Sequence, residues 1–515
     1  MKKSTILLVL ALPVFFVLGT IGLQITNLTI DYSTFNLNAL SRFSSRVFPP
    51  DFSEIVEILP LFNQTLLMTL WGTTIGALLA FIASLFFGNK QLSGSKVSRI
   101  LVTAVAIVSR SVPDLLIALI FVAIVGAGTL AGIFALAISS IGMFVRLLST
   151  RIEEISIDRS TPFVATGMSR TKLRAAFVSR EIWPYFVSIF GYRLDINLRA
   201  AATLGLAGAG GVGVALKMAF GSLNYPTAMA IVIVIAVGLL LIELISNQVS
   251  RKLEGEISDS KFNQSPIFKS ARFVALSILG IYMITGLLKS IFDSHFDQQS
   301  IGKFIAAIFS PDFVSRGSDI WNAILQSVSL ALLGTFFGCI LALLVGIGGS
   351  RRSGLPSWVF YFSRVFLVLK RSAPTILFAI VFVIIFGMGS LAGIAALTLG
   401  VGGIGAKFIA DSLDQIPQND LLPVRALGLS KAQFLFSGIL RISLPTVVKH
   451  LLYMLELNVR YAAILGIIGV GGIGVLVTSA IRNDDLATTF AVIYAISALV
   501  AILELTSRRF TKALV

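Results

Sequence analysis

Arg110-Ser111-Val112-Pro113 returns as Arg371-Ser372-Ala373-Pro374, a displacement of 371 − 110 = 261 residues, and that displacement decides how the chain is built. The same shift carries Tyr192, Asn197 and Arg199 onto Tyr453, Asn458 and Arg460. Positions 110–139 and 371–400 then agree at 16 of 30 residues, and 192–213 and 453–474 at 12 of 22. Solenoid repeats recur every 20–50 residues or so, so a period this long marks a duplicated domain. Two similar membrane halves in one chain normally face each other across a pseudo-two-fold axis, with the substrate site at their interface. The expected organisation is a first repeat over 1–250, a linker over 251–272 and a second repeat over 273–515, enclosing one transport pathway.

Composition agrees. Of 515 residues, 56% are hydrophobic and only 13% charged, and mean hydropathy is +0.92. A soluble average is about 25% charged, and here too little polar surface remains to cover a globule. The net charge of +16 lies in short loops: Lys90, Lys96 and Arg99, then Arg351 and Arg352, then Arg508, Arg509 and Lys512. The alternate loops at 126–129 and 387–390 carry no charge. That is the positive-inside pattern, a statement about membrane orientation and not about nucleic acid. The single cysteine, Cys339, can form no internal disulfide, and His295 and His450 share no ligand-like spacing, so no metal site is expected.

Apolar runs predict an all-α polytopic membrane protein of about 12 spans, each long enough to cross roughly 30 Å of hydrocarbon. They fall near 6–23, 63–88, 98–125, 129–149, 184–208 and 227–249, then 273–291, 321–348, 358–386, 390–410, 446–469 and 487–506. Lys2 and Lys3 before the first run look like a signal peptide, but no small-residue cleavage site follows, so a retained span is expected. An even number of spans puts both termini on the cytoplasmic side. The loops holding Phe48-Pro49-Pro50-Asp51-Phe52 and its echo Phe309-Ser310-Pro311-Asp312-Phe313 then fall outside. Pro113 and Pro374 interrupt apolar stretches and should kink them.

Two further features carry mechanism. Between the fourth and fifth spans of each half lies the longest polar interruption, with Ala165, Gly167 and Ser169 before Pro184, and Ala426, Gly428 and Ser430 before Pro445. Each proline stands 17 residues past its glycine, which reads as two short helices turned at the glycine and projecting into the cytoplasm. Within the fifth spans sit Asp195, Asn197 and Arg199, and again Glu456, Asn458 and Arg460. An intramembrane charge costs about 2.5 kcal/mol or more and normally faces a cavity or the bundle interior. Guanidinium groups there suit an oxyanion, whose oxygens they match in a fork. An internal i, i+4 ion pair is the competing account, and both can hold together. The halves are not identical: Arg193 is answered by Met454, and Ala200 by Tyr461.

The Ala-x-Gly-x-Ser…Pro spacing resembles the coupling loop of ATP-binding-cassette importer permeases. The segments Arg110–Pro113 with Gly126–Gly132, and Asn197–Gly213 with Asn458–Gly474, look like the permease of phosphonate and phosphite importers over roughly 48–249 and 309–506. The family's usual glutamate six residues before the loop glycine is Thr161 and Leu422 here. The resemblance implies a type I importer transmembrane fold in the bacterial inner membrane, two copies fused. It implies two partner ATPase subunits on the loops and a periplasmic or lipid-anchored binding protein. A pathway lined by Asn197, Arg199, Asn458, Arg460, Asp195, Glu456, Arg110 and Arg371 is expected. No cofactor is expected in this chain, which has no phosphate loop; ATP and magnesium belong to the partner. Methionine-importer permeases share the glycine run and stand as the alternative cargo class. An ion-coupled secondary transporter is the alternative mechanism. Gly208–Gly213 and Gly469–Gly474 match a dinucleotide fingerprint literally. They lack the strand before and the acid after that such a site needs, and are expected instead to allow close helix packing or to end a span.

Overall fold

The computed structural model describes residues 2–26, 45–85, 112–154, 179–258, 266–293, 298–430 and 433–514, with a few single positions between 41 and 109. All regular structure among the described residues is helical. The elements are α1 (Lys2–Ile25), α2 (Ile55–Leu85), α3 (Asp114–Val125), α4 (Thr129–Glu154), α5 (Ser179–Leu204), α6 (Val212–Gly221), α7 (Tyr225–Ser258), α8 (Pro266–Phe292) and α9 (Gln298–Phe309). They continue as α10 (Gly317–Gly348), α11 (Ser357–Ser372), α12 (Thr375–Phe386), α13 (Ser390–Asp414), α14 (Gln418–Arg425), α15 (Leu440–Leu465), α16 (Ile473–Arg482) and α17 (Leu486–Leu514).

The duplication reappears helix by helix. The starts of α3 and α12 differ by 375 − 114 = 261, those of α4 and α13 by 390 − 129 = 261, and those of α6 and α16 by 473 − 212 = 261. The pair α2 and α10 departs from this register. Gln64, Gly72 and Gly76 of α2 find their structural equivalents in Gln326, Gly334 and Gly338 of α10, a shift of 334 − 72 = 262. The segment from Asp312 to Gln326 is therefore one residue longer than that from Asp51 to Gln64.

Among the described residues seven helices are long and apolar enough to cross a membrane, and two bent pairs bring the number to 9. The remaining expected spans correspond to shorter apolar stretches, Pro13–Ile25, Asp114–Val125 and Gly280–Phe292. The expected linker 251–272 is helical where described: α7 runs to Ser258 and α8 begins at Pro266.

Two compact units form, Pro49–Phe304 and Met1–Phe48 with Ile305–Val515, and they do not follow the repeat boundaries. Each holds the other repeat's leading helix. In the unit containing the second repeat, α1 lies on α10: a Cβ at Gly22 would stand 2.0 Å from Ser329 Oγ, and the Phe16 and Phe336 rings are 5.0 Å apart. In the Pro49–Phe304 unit, α8 lies on α2. Trp71 Nε1 donates to the Met283 carbonyl at 2.7 Å, Tyr282 donates to Asn63, and Thr129 Oγ1 donates to Ser290 Oγ at 2.7 Å.

Small residues let the long helices approach, the usual means of association where lipid removes the hydrophobic drive. A Cβ on Gly72 would meet Leu136 Cβ at 2.5 Å, and one on Gly76 the Ala137 carbonyl at 2.5 Å. The pair α10 and α13 repeats this with Gly334 against Leu397 Cβ at 2.5 Å and Gly346 against the Ala406 carbonyl at 2.8 Å. Around these contacts Phe144, Leu148, Ile152, Ile182 and Phe186 form one core, and Val401, Ile409, Leu413, Ile439 and Met454 the other.

The segments preceding α2 and α10 are tied down in the same way in the two units. Asp51 N donates to the Pro226 carbonyl and Asp312 N to the Ala487 carbonyl, each at 3.2 Å. Each carboxylate closes a turn on the following residues. Asp51 accepts from Ser53 N at 2.9 Å, and Asp312 from Ser315 N at 2.9 Å and Val314 N at 3.1 Å. Hydrogen bonds from the Ser53 backbone and side chain hold Asp51 below the usual carboxylate range. Those from the Ser315 side chain and backbone do the same for Asp312.

Candidate functional site

The C-terminal halves of α5 and α15 carry the polar residues singled out above. A helix advances about 100° per residue, from 3.6 residues per turn, so Asp195 and Arg199 share a face while Asn197 points the opposite way. The structure follows this arithmetic. Arg199 is ion-paired with Asp195, and Arg460 with Glu456, each through one short guanidinium–carboxylate contact. The four side chains keep 23%, 18%, 20% and 9% of their surface exposed in the same order, so these faces are partly open. Tyr192 and Tyr453, on the same side, are exposed.

Asn197 and Asn458 are fully buried. Asn197 Nδ2 donates to Thr73 Oγ1 and Ser140 Oγ, both at 2.8 Å, linking α5 to α2 and α4. Asn458 Nδ2 donates to Thr335 Oγ1 of α10 at 2.9 Å. The two amide oxygens have no hydrogen-bond partner among the described residues. Thr73, Ser140 and Thr335 escaped the sequence reading because hydroxyls in apolar runs give no periodic signal. The offset between Thr73 and Thr335 is also 262, outside the register that governs Asn197 and Asn458.

Beyond these residues each helix tightens into a single 3-10 turn, Gly205–Ala207 or Gly466–Ile468, and breaks at the glycine run before α6 or α16. The axis bends by 42° between Tyr185–Ala207 and Val212–Gly221. Glycine is required for two reasons. Gly208, Gly210 and Gly211 have φ of +92°, +80° and +75°, and a Cβ on Gly205 would stand 2.6 Å from Gly213 Cα and Val214 N. The freed N–H groups at the helix starts are captured from α2 and α10. Gln64 Oε1 accepts from Gly211 N at 3.2 Å and Thr65 Oγ1 from Val212 N at 2.9 Å. Gln326 and Ser327 do the same for Gly472 and Ile473 at 3.0 and 2.9 Å. The fingerprint-like glycines thus build a break and bend in the helix, with close packing as expected.

Pro113 and Pro374 do more than kink. Each stands at the N-cap of a new helix, with φ of −59° in both cases. The residue before a proline is driven from helical to extended geometry, and Ala373 lies at φ −106°, ψ 123°. The chain turns 96° between Ser357–Lys370 and Thr375–Phe386. Arg371 belongs to the last turn of α11 by its backbone; Arg110 lies outside the described residues.

The segment of the first half expected to project into the cytoplasm, with Ala165, Gly167 and Ser169, also lies outside them. In the second half α14 ends at Ala426, Gly428 takes φ +64°, and Ser430 opens a wide turn of helix over Phe434–Ile439. Ser430 N donates to Gln433 Oε1 at 3.1 Å and Gln433 N to Ser430 Oγ at 3.4 Å, a reciprocal cap. Leu422 and Leu427 stand exposed beside the glycine. Helices α5 and α15 begin at Ser179 and Leu440, ahead of Pro184 and Pro445, while the apolar spans proper begin just past those prolines at Tyr185 and Thr446.

The chain is similar to several known proteins. The family model for the inner membrane component of binding-protein-dependent transport systems matches residues 72–258 and again 334–515. The phosphate-import permease protein PhnE of Mycolicibacterium smegmatis is 32% identical over 471 residues, covering 88% of this chain and 86% of that one. The phosphite transport system permease protein PtxC of Stutzerimonas stutzeri is 30% identical over 213 residues, 41% of this chain and 76% of that one. Among solved structures, an inward-facing MetNI methionine ABC transporter is 22% identical with a TM-score of 0.34, over 37% of this chain and 93% of that one. Two matches to one family model, at the spacing of the internal repeat, make this chain a duplicated member of the family of inner membrane components of binding-protein-dependent transport systems.

Proposed function

We propose that the chain is the fused permease of an ATP-driven importer that carries a phosphorus oxyanion such as phosphate, phosphite or a phosphonate into the cytoplasm. The observation that carries this is the repeated acid–guanidinium pair, Asp195 with Arg199 and Glu456 with Arg460, on a partly open face in mid-span. Relatives named for phosphate and phosphite supply the cargo class. In this account the two arginines meet the anion in transit, each kept charged and oriented by its own carboxylate. Asn197 and Asn458 serve by fixing the helices that present them.

A separate binding protein delivers cargo to the outer face. Two ATPase subunits dock on the projections around Gly167 and Gly428, where exposed Leu422 and Leu427 offer an apolar knob in place of the usual glutamate. Both termini then lie in the cytoplasm. The sharp turn at Pro374 and the helix start at Pro113, with Arg371 and Arg110 just before them in sequence, flank the pathway. The test is reconstitution of the chain with its ATPase and binding protein in liposomes. ATP-dependent uptake of phosphate, phosphite or methylphosphonate is expected. Uptake of methionine in their place, or uptake needing no ATPase, rejects the proposal.

A further inference from the structure

The first half holds a buried charged cluster that the second half lacks. At four positions related by 261 residues, Asp114, Ser139, Ser140 and Arg193 correspond to Thr375, Gly400, Val401 and Met454. Arg193 retains 7% of its surface. Its Nε donates to Ser140 Oγ at 3.1 Å, its Nη2 to Ser139 Oγ at 2.7 Å, and its Nη1 lies 3.6 Å from Met143 Sδ. Among the described residues no carboxylate is ion-paired with it; Asp114 acts on it only through space. Ser140 Oγ also accepts from Asn197, whose own amide oxygen is buried without a partner. Arg193, Ser139 and Ser140 lie close to the middles of the spans Tyr185–Ala207 and Thr129–Ile152. Transport substrates bind at that depth.

A guanidinium hydrogen-bonded only to neutral side chains, with Asp114 acting on it from a distance, carries a desolvation cost that is only partly offset. The group that relieves it is an anion, and a cation flanked by two serine hydroxyls is the donor set that suits phosphoryl or phosphonyl oxygens. We propose that Arg193, with Ser139 and Ser140, is a cargo-binding site supplied by the first half alone. When α4 and α5 part, the guanidinium turns from its serines to the oxyanion; when cargo leaves, it returns. This rests on the phosphorus-oxyanion reading above.

The test uses the whole transporter in liposomes, with phosphate, phosphite and methylphosphonate as probes and with Arg193→Met, Arg193→Lys and Ser139→Ala variants. Arg193→Met, which installs the second half's side chain, is expected to lower phosphate uptake by about tenfold to a hundredfold, the scale of a lost charged hydrogen bond. Its thermal midpoint should hold or rise, because an unpaired buried charge is removed. Arg193→Lys should restore part of the uptake and shift the phosphate-to-phosphite ratio. Uptake by Arg193→Met within about twofold of the parent overturns the site. So does a midpoint that falls in both Arg193 variants with the uptake ratio unmoved, the signature of a packing pin. If Arg193→Met does not assemble, an unchanged ratio in Arg193→Lys and Ser139→Ala overturns it equally. A parent protein that moves none of the probes removes the cargo reading and this site with it, whereas normal uptake insensitive to Arg193 removes the site alone.

Discussion

Neutralising one ion pair in two steps separates its structural work from its transport work. The perturbations are Asp195→Asn, Arg199→Gln and the double substitution, made in the full chain. With side chains 18% and 23% exposed, the pair lies between a surface bridge and a buried one. Exposed pairs couple by about 0.2–1 kcal/mol, and breaking a buried pair costs about 3–5 kcal/mol. A coupling of roughly 1–3 kcal/mol follows for this intermediate burial. For a unit of about 250 residues each kcal/mol moves a thermal midpoint by roughly 2–4 °C. Each single substitution removes this pairing and should lower the midpoint; the double substitution should lower it by less than the two singles added. Transport is expected to behave differently. Arg199→Gln and the double variant should both lose ATP-driven phosphate uptake, because the cation that meets the anion is absent in each. Recovery of uptake in the double variant, alongside recovered stability, would show that the pair only holds the helix together and that Arg199 does not touch cargo.

Three further outcomes follow from the geometry. Thr65→Val keeps the volume but leaves the buried Val212 N–H without its acceptor, so thermal unfolding should report a loss of about 1–3 kcal/mol. Gly466→Ala places a Cβ 2.7 Å from Gly474 Cα and N, atoms that cannot yield, and should cost about 1–3 kcal/mol or abolish assembly; the alanine at Gly280, which meets nothing within 4 Å, should be silent by comparison. Asp312 titrates below its ordinary value, because the Ser315 side chain and backbone donate to its carboxylate. The stabilisation of its turn is therefore complete above about pH 4 and is lost as pH falls through the lowered value. Protection of the Ser315 amide from hydrogen exchange should follow that course. Protection that falls already near pH 6 would contradict it.

How far the chain could be read without coordinates depended on the kind of signal each feature leaves. Spans and duplication were legible because apolar length and a 261-residue identity are properties of consecutive residues. The ion pairs were foreseen for a related reason: Asp195 and Arg199, four apart on a helix, are neighbours whatever surrounds them. Asn197 was grouped with Arg199 by adjacency, yet two residues turn a helix by about 200°, and the amide faces α2 and α4 instead. Its partners Thr73 and Ser140 are 124 and 57 residues away and carry no mark of their role. The break at Pro374 was visible in outline, but its 96° turn depends on Ala373 adopting extended geometry.

Alone, then, the order of residues determined that the chain crosses a membrane repeatedly, that it is two copies of one unit, and where its charged mid-span pairs would form. All of these are settled within a few turns of helix or by direct comparison of one stretch with another. Only the tertiary structure decided which copy each leading helix packs against, the 262-residue register of α2 with α10, and the enclosure of Arg193 among serines. Those depend on contacts between segments far apart in the chain, where close approach of small residues and the satisfaction of buried polar groups choose one partner among many.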